Sequence, residues 1–276
     1  MREISFTLRR ALQLPVESRE ISPSTLAGKS TREIESMKIW EGNRRIELAE
    51  IFEVSEKMEG NSNDTSVRVV GNAAKIRKLG CRMTSGSLIV EGNAGMYLGE
   101  EMSGGSILVT GDAGLWLGTK MSGGQIEVKG NAGDYVGAGY RGTTLGMKGG
   151  SIIIHGNAGN EVGCWMSSGT IRIKGNAGLF PGIHMSNGTI LIEGSCMGRA
   201  GAQMRAGKVI IGGYIPSILP SFAFEEIQRT AKFGEEKIAG PFYAFSGDIN
   251  EEGKGRISVS VNTNPQLNWY EKYLEA

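Results

Sequence analysis

The chain has 276 residues, enough for one large domain or two small ones, and a formal net charge of +1 that gives no reason to expect nucleic acid or an anionic membrane as a partner. Glycine is the anomaly, with 43 residues, about twice the usual share, against 7 prolines. Low-complexity disorder is excluded because the glycines recur at fixed intervals and apolar runs separate them.

The N-terminal part, residues 1–65, does not follow the repeat that dominates the rest of the chain. It begins MREISFTLRRALQLPV, which has no sustained apolar run, so we expect no signal peptide, no membrane span and a cytoplasmic location. The later stretch MKIWEGNRRIELAEIFEVS is typical of two strands around a Gly-Asn turn. We predict a β-rich N-terminal cap.

Residues 66–213 contain seven copies of one repeat, spaced 19 residues apart except for one gap of 26. In each 13-residue core, a methionine stands three residues after the first position and a glycine three residues after the methionine. Aliphatic residues follow at five and seven residues after the methionine, and a glycine closes the core. The cores are 80–92, 99–111, 118–130, 144–156, 163–175, 182–194 and 201–213. The structural repeat residues are Met83, Met102, Met121, Met147, Met166, Met185 and Met204, with Gly86, Gly105, Gly124, Gly150, Gly169, Gly188 and Gly207.

The short aliphatic segment in each core is β-branched and bounded by glycine, which predicts a strand. Nineteen residues with short strands and glycine turns are too few for a propeller blade and suit one coil of a β-solenoid. Residues five and seven after each methionine are aliphatic in every copy and are expected to point inward. We therefore predict an all-β, single-stranded β-helix of seven 19-residue coils.

The glycines raise an alternative, a phosphate-binding loop. The chain lacks both G-x-x-x-x-G-K-[ST] and a strand–GxGxxG–helix unit, and its glycines recur seven times without a helical pattern. We interpret them as structural corners.

Two departures from the repeat indicate contact surfaces. Seven extra residues, 140–146, lie between the third and fourth cores and include Arg141. They form either a binding loop or a plain surface bulge. The position six after each methionine should face outward yet is mostly apolar, so the chain's own ends or other subunits must cover it. Its candidate interface residues are Ile89, Leu108, Ile153, Leu191 and Ile210.

A second column, containing Tyr97, Trp116 and Tyr135, is largely aromatic. Such columns pack in interfaces more often than they bind sugars, but a free β-helix that binds a sugar or another ligand stays open as an alternative function.

Residues 214–276 leave the repeat and contain FYAFSGDINEEGKGRISVSV, which predicts a hairpin in a C-terminal cap. Solenoids need such caps because their end coils expose strand edges.

No catalytic, cofactor-binding or metal-binding residue is expected in this chain. The three cysteines, Cys81, Cys164 and Cys196, form no C-x-x-C pair, and His155 and His184 lack metal-ligand spacing. No nucleophile–base motif is present. The sequence favours a rigid scaffold.

The pattern G-[ND]-A-G-x-x-x-G-x-x-M-S-G-G, the upstream IWEGNRRIELAEIFEVS and the overall length resemble the C subunit of formylmethanofuran dehydrogenase. The C subunit of the bacterial formyltransferase/hydrolase complex, which serves C1 oxidation, is similar, and the glycine-rich C-terminal domain of the glutamate synthase large subunit is a more distant match.

The resemblance implies a right-handed β-helix in a multi-subunit oxidoreductase. That complex reversibly reduces CO2 with methanofuran, using electrons from ferredoxin, in the first step of methanogenesis. The resemblance places tungsto- or molybdopterin, 4Fe-4S clusters and zinc in other subunits: a pterin/iron–sulfur subunit, a zinc amidohydrolase-like subunit and ferredoxin-like subunits. It assigns this chain no catalytic residue.

Overall fold

The computed structural model describes residues 2–58 and 64–274, so residues 1, 59–63, 275 and 276 of the two predicted caps lie outside the described part. Helix is scarce. The second of two short helices begins at a capping box, in which Ser30 and Glu33 satisfy each other's backbone N–H groups. The helices are α1 (Pro23–Leu26) and α2 (Thr31–Glu35), with 3₁₀ turns at Leu48–Glu50, Ile249–Glu251 and Pro265–Tyr273.

Strands make up most of the ordered structure. Within the described residues they are β1 (Arg2–Leu8), β2 (Val16–Glu17), β3 (Lys38–Glu41), β4 (Arg44–Glu47), β5 (Phe52–Met58), β6 (Thr65–Val70), β7 (Ile76–Arg77), β8 (Ser87–Glu91), β9 (Ser106–Val109), β10 (Gln125–Val128), β11 (Lys148–Ile154), β12 (Ser168–Ile173), β13 (Ala177–Leu179), β14 (Thr189–Ile192), β15 (Cys196–Gly198), β16 (Lys208–Ile211), β17 (Ala223–Phe233), β18 (Glu236–Gly247) and β19 (Gly255–Ser260).

Each repeat core contributes one strand, and successive cores pair in parallel with their aliphatic positions in register. The pair of β11 and β12 has one irregularity, between Lys148 and Ser151. Leu88 lies opposite Ile107 and Val90 opposite Val109, and the same two positions meet in every later pair. Both aliphatic columns are buried along their whole length. Because neighbouring strands lie about 4.8 Å apart, equivalent side chains pack directly on one another. The hydrophobic core therefore follows the repeat.

The fold class predicted from the sequence, a single-stranded right-handed β-helix with non-repeat caps, is wrong. The described strands form one 13-stranded sheet that mixes parallel and antiparallel pairs, in the order β17-β18-β19-β16-β14-β12-β11-β10-β9-β8-β6-β1-β5. A separate four-stranded sheet has the order β4-β3-β2-β7, and β13 pairs with β15. The reason is that the terminal segments supply strands that satisfy the open edges of the repeat strands and extend the same sheet.

At both ends of the repeats, a strand from outside the seven cores takes up the repeat register. Upstream, β6 pairs in parallel with β8, placing Val67 opposite Leu88, and β1 lies between β6 and the antiparallel β5. Downstream, β19 pairs in parallel with β16, placing Ile257 opposite Val209. The antiparallel hairpin β17–β18 then continues the sheet from β19.

Each repeat methionine packs against the glycine of the following repeat. All seven methionine side chains are fully buried, worth about 2 kcal/mol each on transfer from water. A Cβ added at Gly105, where φ is +81°, would lie 2.6 Å from Cε of Met83. The last methionine, Met204, meets Gly255 of β19 instead of a further repeat. Methionine and glycine thus occupy one interlocked site in each layer.

A ladder of turn side chains runs beside the strands. The Oδ1 atom of Asn93 accepts the backbone N–H of Asp112 at 2.9 Å, and Asp112 accepts that of Asn131 at 2.7 Å. The same bond recurs to the end of the repeats, through Asn131, Asn157, Asn176 and Ser195. Each turn is therefore fixed by the one before it.

Candidate subunit interface

The aromatic column stands on backbone corners of unusual conformation. Tyr97, Trp116 and Tyr135 have φ of +63°, +64° and +67°, in the left-handed region that costs a non-glycine residue about 1 kcal/mol. Bonds between repeats hold the corners: the N–H of Tyr97 donates to the carbonyl of Leu115 at 3.0 Å, and that of Trp116 to Asp134 at 2.9 Å. The scaffold thus presents these three side chains in adjacent layers.

The three rings stack. The centroids of Trp116 and Tyr135 are 4.2 Å apart with an interplanar angle of 15°, and those of Tyr97 and Trp116 are 6.2 Å apart at 21°. Offset stacking of this kind adds about 0.5–1.5 kcal/mol per pair beyond burial. The column is one continuous aromatic surface.

Tyr140, the first residue of the insertion, folds back over this surface. Its ring centroid lies 5.9 Å from that of Tyr97 and 5.6 Å from that of Trp116, and the Lys120 ammonium stands 4.7 Å above it. Trp116 is left only 9% exposed. A face that bound sugars by stacking would need open rings, so this cover speaks against the free ligand-binding alternative.

The Tyr140 hydroxyl donates a hydrogen bond to the carboxylate of Glu100. Glu100 is 6% exposed, and its carboxylate also lies 3.6 Å from the Lys78 ammonium and accepts from the Cys81 thiol at 3.8 Å. Burial, then the bond to Glu100, raise the pKa of Tyr140 far above its usual range, so the hydroxyl stays protonated and donates. A buried acid and its partners therefore anchor the insertion.

Arg141 lies on the outer side of the same surface. Its guanidinium donates to the hydroxyl of Tyr135 at 2.7 Å and sits 5.7 Å from that ring's centroid. Beyond it, a cavity of about 130 Å³ separates this stack from a second one, in which Trp165 and His184 lie 4.1 Å apart at 7°. Burial lowers the pKa of His184, which keeps the imidazole neutral beside the indole. Aromatic residues and arginine are enriched at the centres of protein–protein interfaces, and this surface combines both.

The second predicted surface, the outward apolar column, is divided. Leu191 and Ile210 are buried under the chain's own hairpin, where they pack with Ala231 and Phe242. The remaining members, Ile89, Leu108 and Ile153, are half-buried on the sheet face. The structure thus brings Tyr97, Trp116, Tyr135 and Arg141 together and leaves the apolar column as a separate surface.

Sequence reasoning missed several residues of the aromatic face, namely Glu100, Lys120, Trp165 and His184. Tyr140 lies in the insertion that it indicated but was not singled out. One signal was available for Tyr140, because an aromatic residue opens the insertion next to an aromatic column. None was available for Glu100, since only the fold shows that it is buried.

In the described ranges, no group of three or more His, Cys, Asp or Glu side chains could hold a metal ion. Burial raises the pKa of Cys81 and Cys196 to about 11 and that of Cys164 to about 12, so the three sulfurs are protonated thiols in this structure. No helix of the described residues is long and apolar enough to cross a membrane.

The curated proteins similar to this chain that are described below are all C subunits of formylmethanofuran dehydrogenases. No family model matches the chain. The C subunit of the tungsten-containing formylmethanofuran dehydrogenase 2 of Methanococcus maripaludis is 54% identical over 274 residues, which cover 97% of this chain and 100% of that protein. A second such sequence from that species is 45% identical over the same coverage.

Other relatives match over a shorter stretch. The C subunit of the molybdenum-containing formylmethanofuran dehydrogenase 1 of Methanosarcina barkeri is 38% identical over 98 residues, 36% of this chain and 33% of that one. The C subunit of the tungsten-containing enzyme of Methanothermobacter wolfeii is 40% identical over 99 residues, again 36% of this chain and 37% of that one. The chain therefore aligns with only about a third of the length of these two proteins.

Among solved structures, a chain of the formyltransferase/hydrolase complex (FhcABCD) from Methylorubrum extorquens, crystallised with methylofuran, superposes with a TM-score of 0.81. It is 29% identical, and the match covers 93% of this chain and 99% of that one. Together with the full-length match to the Methanococcus protein, this shows that the chain belongs to the family of formylmethanofuran dehydrogenase C subunits.

Proposed function

We propose that this chain is the non-catalytic C subunit of a formylmethanofuran dehydrogenase complex, working in the cytoplasm, and that it holds the catalytic subunits in place. The complex would reversibly reduce CO2 with methanofuran. Its tungsten or molybdenum, iron–sulfur clusters and zinc would lie in partner subunits.

The match to the Methanococcus maripaludis protein over 97% of the chain carries the proposal. The geometry adds a reason for a scaffold role. Bonds repeated in every layer fix the corners, so Tyr97 and Trp116 are presented with little conformational freedom left to lose when a partner binds.

Purification of the tagged chain from its own organism tests the proposal. We expect stoichiometric co-purification of subunits that carry tungsten or molybdenum, measured by mass spectrometry and elemental analysis, and no such metal on the chain purified alone. Recovery of the chain as a lone monomer would refute the role. As a matched pair, Arg141→Ala should reduce the partner yield, whereas Lys148→Ala, an exposed change on the neighbouring strand, should not.

The structural similarity to the formyltransferase/hydrolase complex favours a second candidate, the C subunit of such a hydrolytic complex. The same purification distinguishes the two. A hydrolytic complex would bring down formyltransferase activity without tungsten or molybdenum, whereas the dehydrogenase would bring down the metal.

A further inference from the structure

The outward apolar column is half covered by the chain itself. In sheet register it passes from Arg68 through Ile89, Leu108, Glu127, Ile153, Arg172, Leu191 and Ile210. Leu191 and Ile210 are 1% exposed beneath the β17–β18 hairpin. Ile89, Leu108 and Ile153 have no such cover from the described residues and remain half-buried.

The covered half shows which chemistry this face accepts. Apolar side chains of an antiparallel hairpin, Phe242 and Ala231, lie on the aliphatic column. The hairpin ends at Arg172, whose guanidinium meets Glu236 near the hairpin tip at 2.7 Å. An extended segment with apolar residues on one side and a carboxylate at the cationic border thus already fits one half of the column.

The open half continues the same surface in the same register. Ile153 pairs directly with Arg172, so it begins where the hairpin stops. From Ile153 to Ile89 there are three strand spacings, about 14 Å, a length that about five residues of an extended chain span. Glu127 stands between Ile153 and Leu108, and its carboxylate contacts Lys129 and His155.

The border of the open half carries two lysines near Ile153, and Glu91, paired with Arg68, near Ile89. Lys174 follows the strand next to Ile153, and its ammonium contacts Nδ1 of His155 at 3.3 Å. No carboxylate of the described residues lies within 4.0 Å of that ammonium. Lys129, beside it, pairs with Glu127. A carboxylate arriving from outside would therefore complete at Lys174 the kind of pair that Arg172 and Glu236 already form.

We propose that an extended segment of a partner subunit lies along Ile153, Leu108 and Ile89, with apolar residues at alternate positions and a carboxylate opposite Lys174. The segment continues the cover that the hairpin begins. This inference rests on the proposed function, since it names the form and charge of the partner contact.

Photo-crosslinking in the assembled complex tests the contact. A benzophenone amino acid replaces Leu108, and the control carries it at Ser103, an exposed corner of the same repeat. The expected product joins position 108 to a peptide of a co-purifying subunit that alternates apolar residues and contains Asp or Glu. A peptide with helical spacing, a crosslink to a second copy of this chain, or no crosslink in an intact complex would overturn the inference.

Charge reversal gives an independent measurement. We expect Leu108→Asp with Ile153→Asp to lower the co-purified partner at least tenfold, and Ser103→Asp to leave it unchanged, with the same circular dichroism in both. Lys174→Glu should weaken recovery, and Lys174→Arg should restore it. If the wild type recovers no partner, the proposed function itself fails; if the wild type and both aspartate variants recover equal amounts, only the docking contact fails.

Discussion

The hydroxyl of Tyr140 and the buried carboxylate of Glu100 are joined across forty positions of sequence. Tyr140 opens the seven-residue insertion, and Glu100 lies at a corner two repeats earlier. The insertion is therefore a strap over the aromatic column, and its first residue covers Trp116.

Tyr140→Phe should destabilise the fold. The substitution keeps the ring but removes the donor from a carboxylate that is 6% exposed, which typically costs about 1–3 kcal/mol. Urea denaturation, followed by tryptophan fluorescence, measures the loss. Adding Glu100→Gln should recover part of it, because the uncharged amide tolerates burial better.

Arg141→Ala in the same strap is the control, since its side chain is exposed and a change of at most about 0.5 kcal/mol is expected. Equal stability of Tyr140→Phe and wild type would mean that the bond to Glu100 does not hold the strap.

Gly105→Ala should cost more than about 2 kcal/mol. The backbone there has φ of +81°, and the new Cβ would lie 2.6 Å from both the Met83 methyl and the carbonyl oxygen of Gly86. Gly142→Ala is a matched control, because its φ of +84° is similar but no atom lies within 4 Å of the added Cβ. Its cost should stay near about 1 kcal/mol. Similar midpoints of unfolding for the two variants would contradict the interlocked packing.

The three cysteines should resist alkylation in the folded protein. With a pKa of about 11 for Cys81 and Cys196 and about 12 for Cys164, the thiolate is scarce at pH 8. We expect labelling by iodoacetamide about 100-fold slower than in urea, because only the thiolate attacks. Peptide mass spectrometry resolves the three sites, and rapid labelling of any one of them in the native protein would show that its thiol is not buried.

Stability should fall as the pH drops through the titration of His184. Burial lowers the folded-state pKa of this imidazole below the usual 6.5, so below about pH 6.5 the unfolded chain binds the additional proton first. This contribution is therefore complete above pH 6.5 and is lost toward acid. Melting temperatures at pH 7.5 and pH 5.5 measure it, and His184→Phe should show a smaller drop than wild type. An equal drop would place the titration elsewhere.

The repeated positions could be predicted from the sequence, whereas the pairing of the non-repeat segments could not. Leu88 and Ile107 could be placed in one column because nineteen residues separate equivalent positions, and the insertion at 140–146 showed as a break in that interval. The pairing of β1 with β6, which made the predicted fold class wrong, follows no local pattern, since it depends on which distant edge a segment satisfies. The same holds for the aromatic face: its column was predictable, whereas the burial of Glu100 was not.

At the end of the array, Met204 packs its methyl against Gly255 as each earlier methionine packs against the next repeat's glycine. β19 thus takes the position that an eighth repeat strand would occupy, and the array ends on a strand that packs like one of its own repeats. Deleting one 19-residue unit would leave both ends with the neighbours they have now and shorten the array by about 4.8 Å. Adding or removing whole repeats would therefore change the distance between the two ends of the array, and between any partners bound there, in fixed steps.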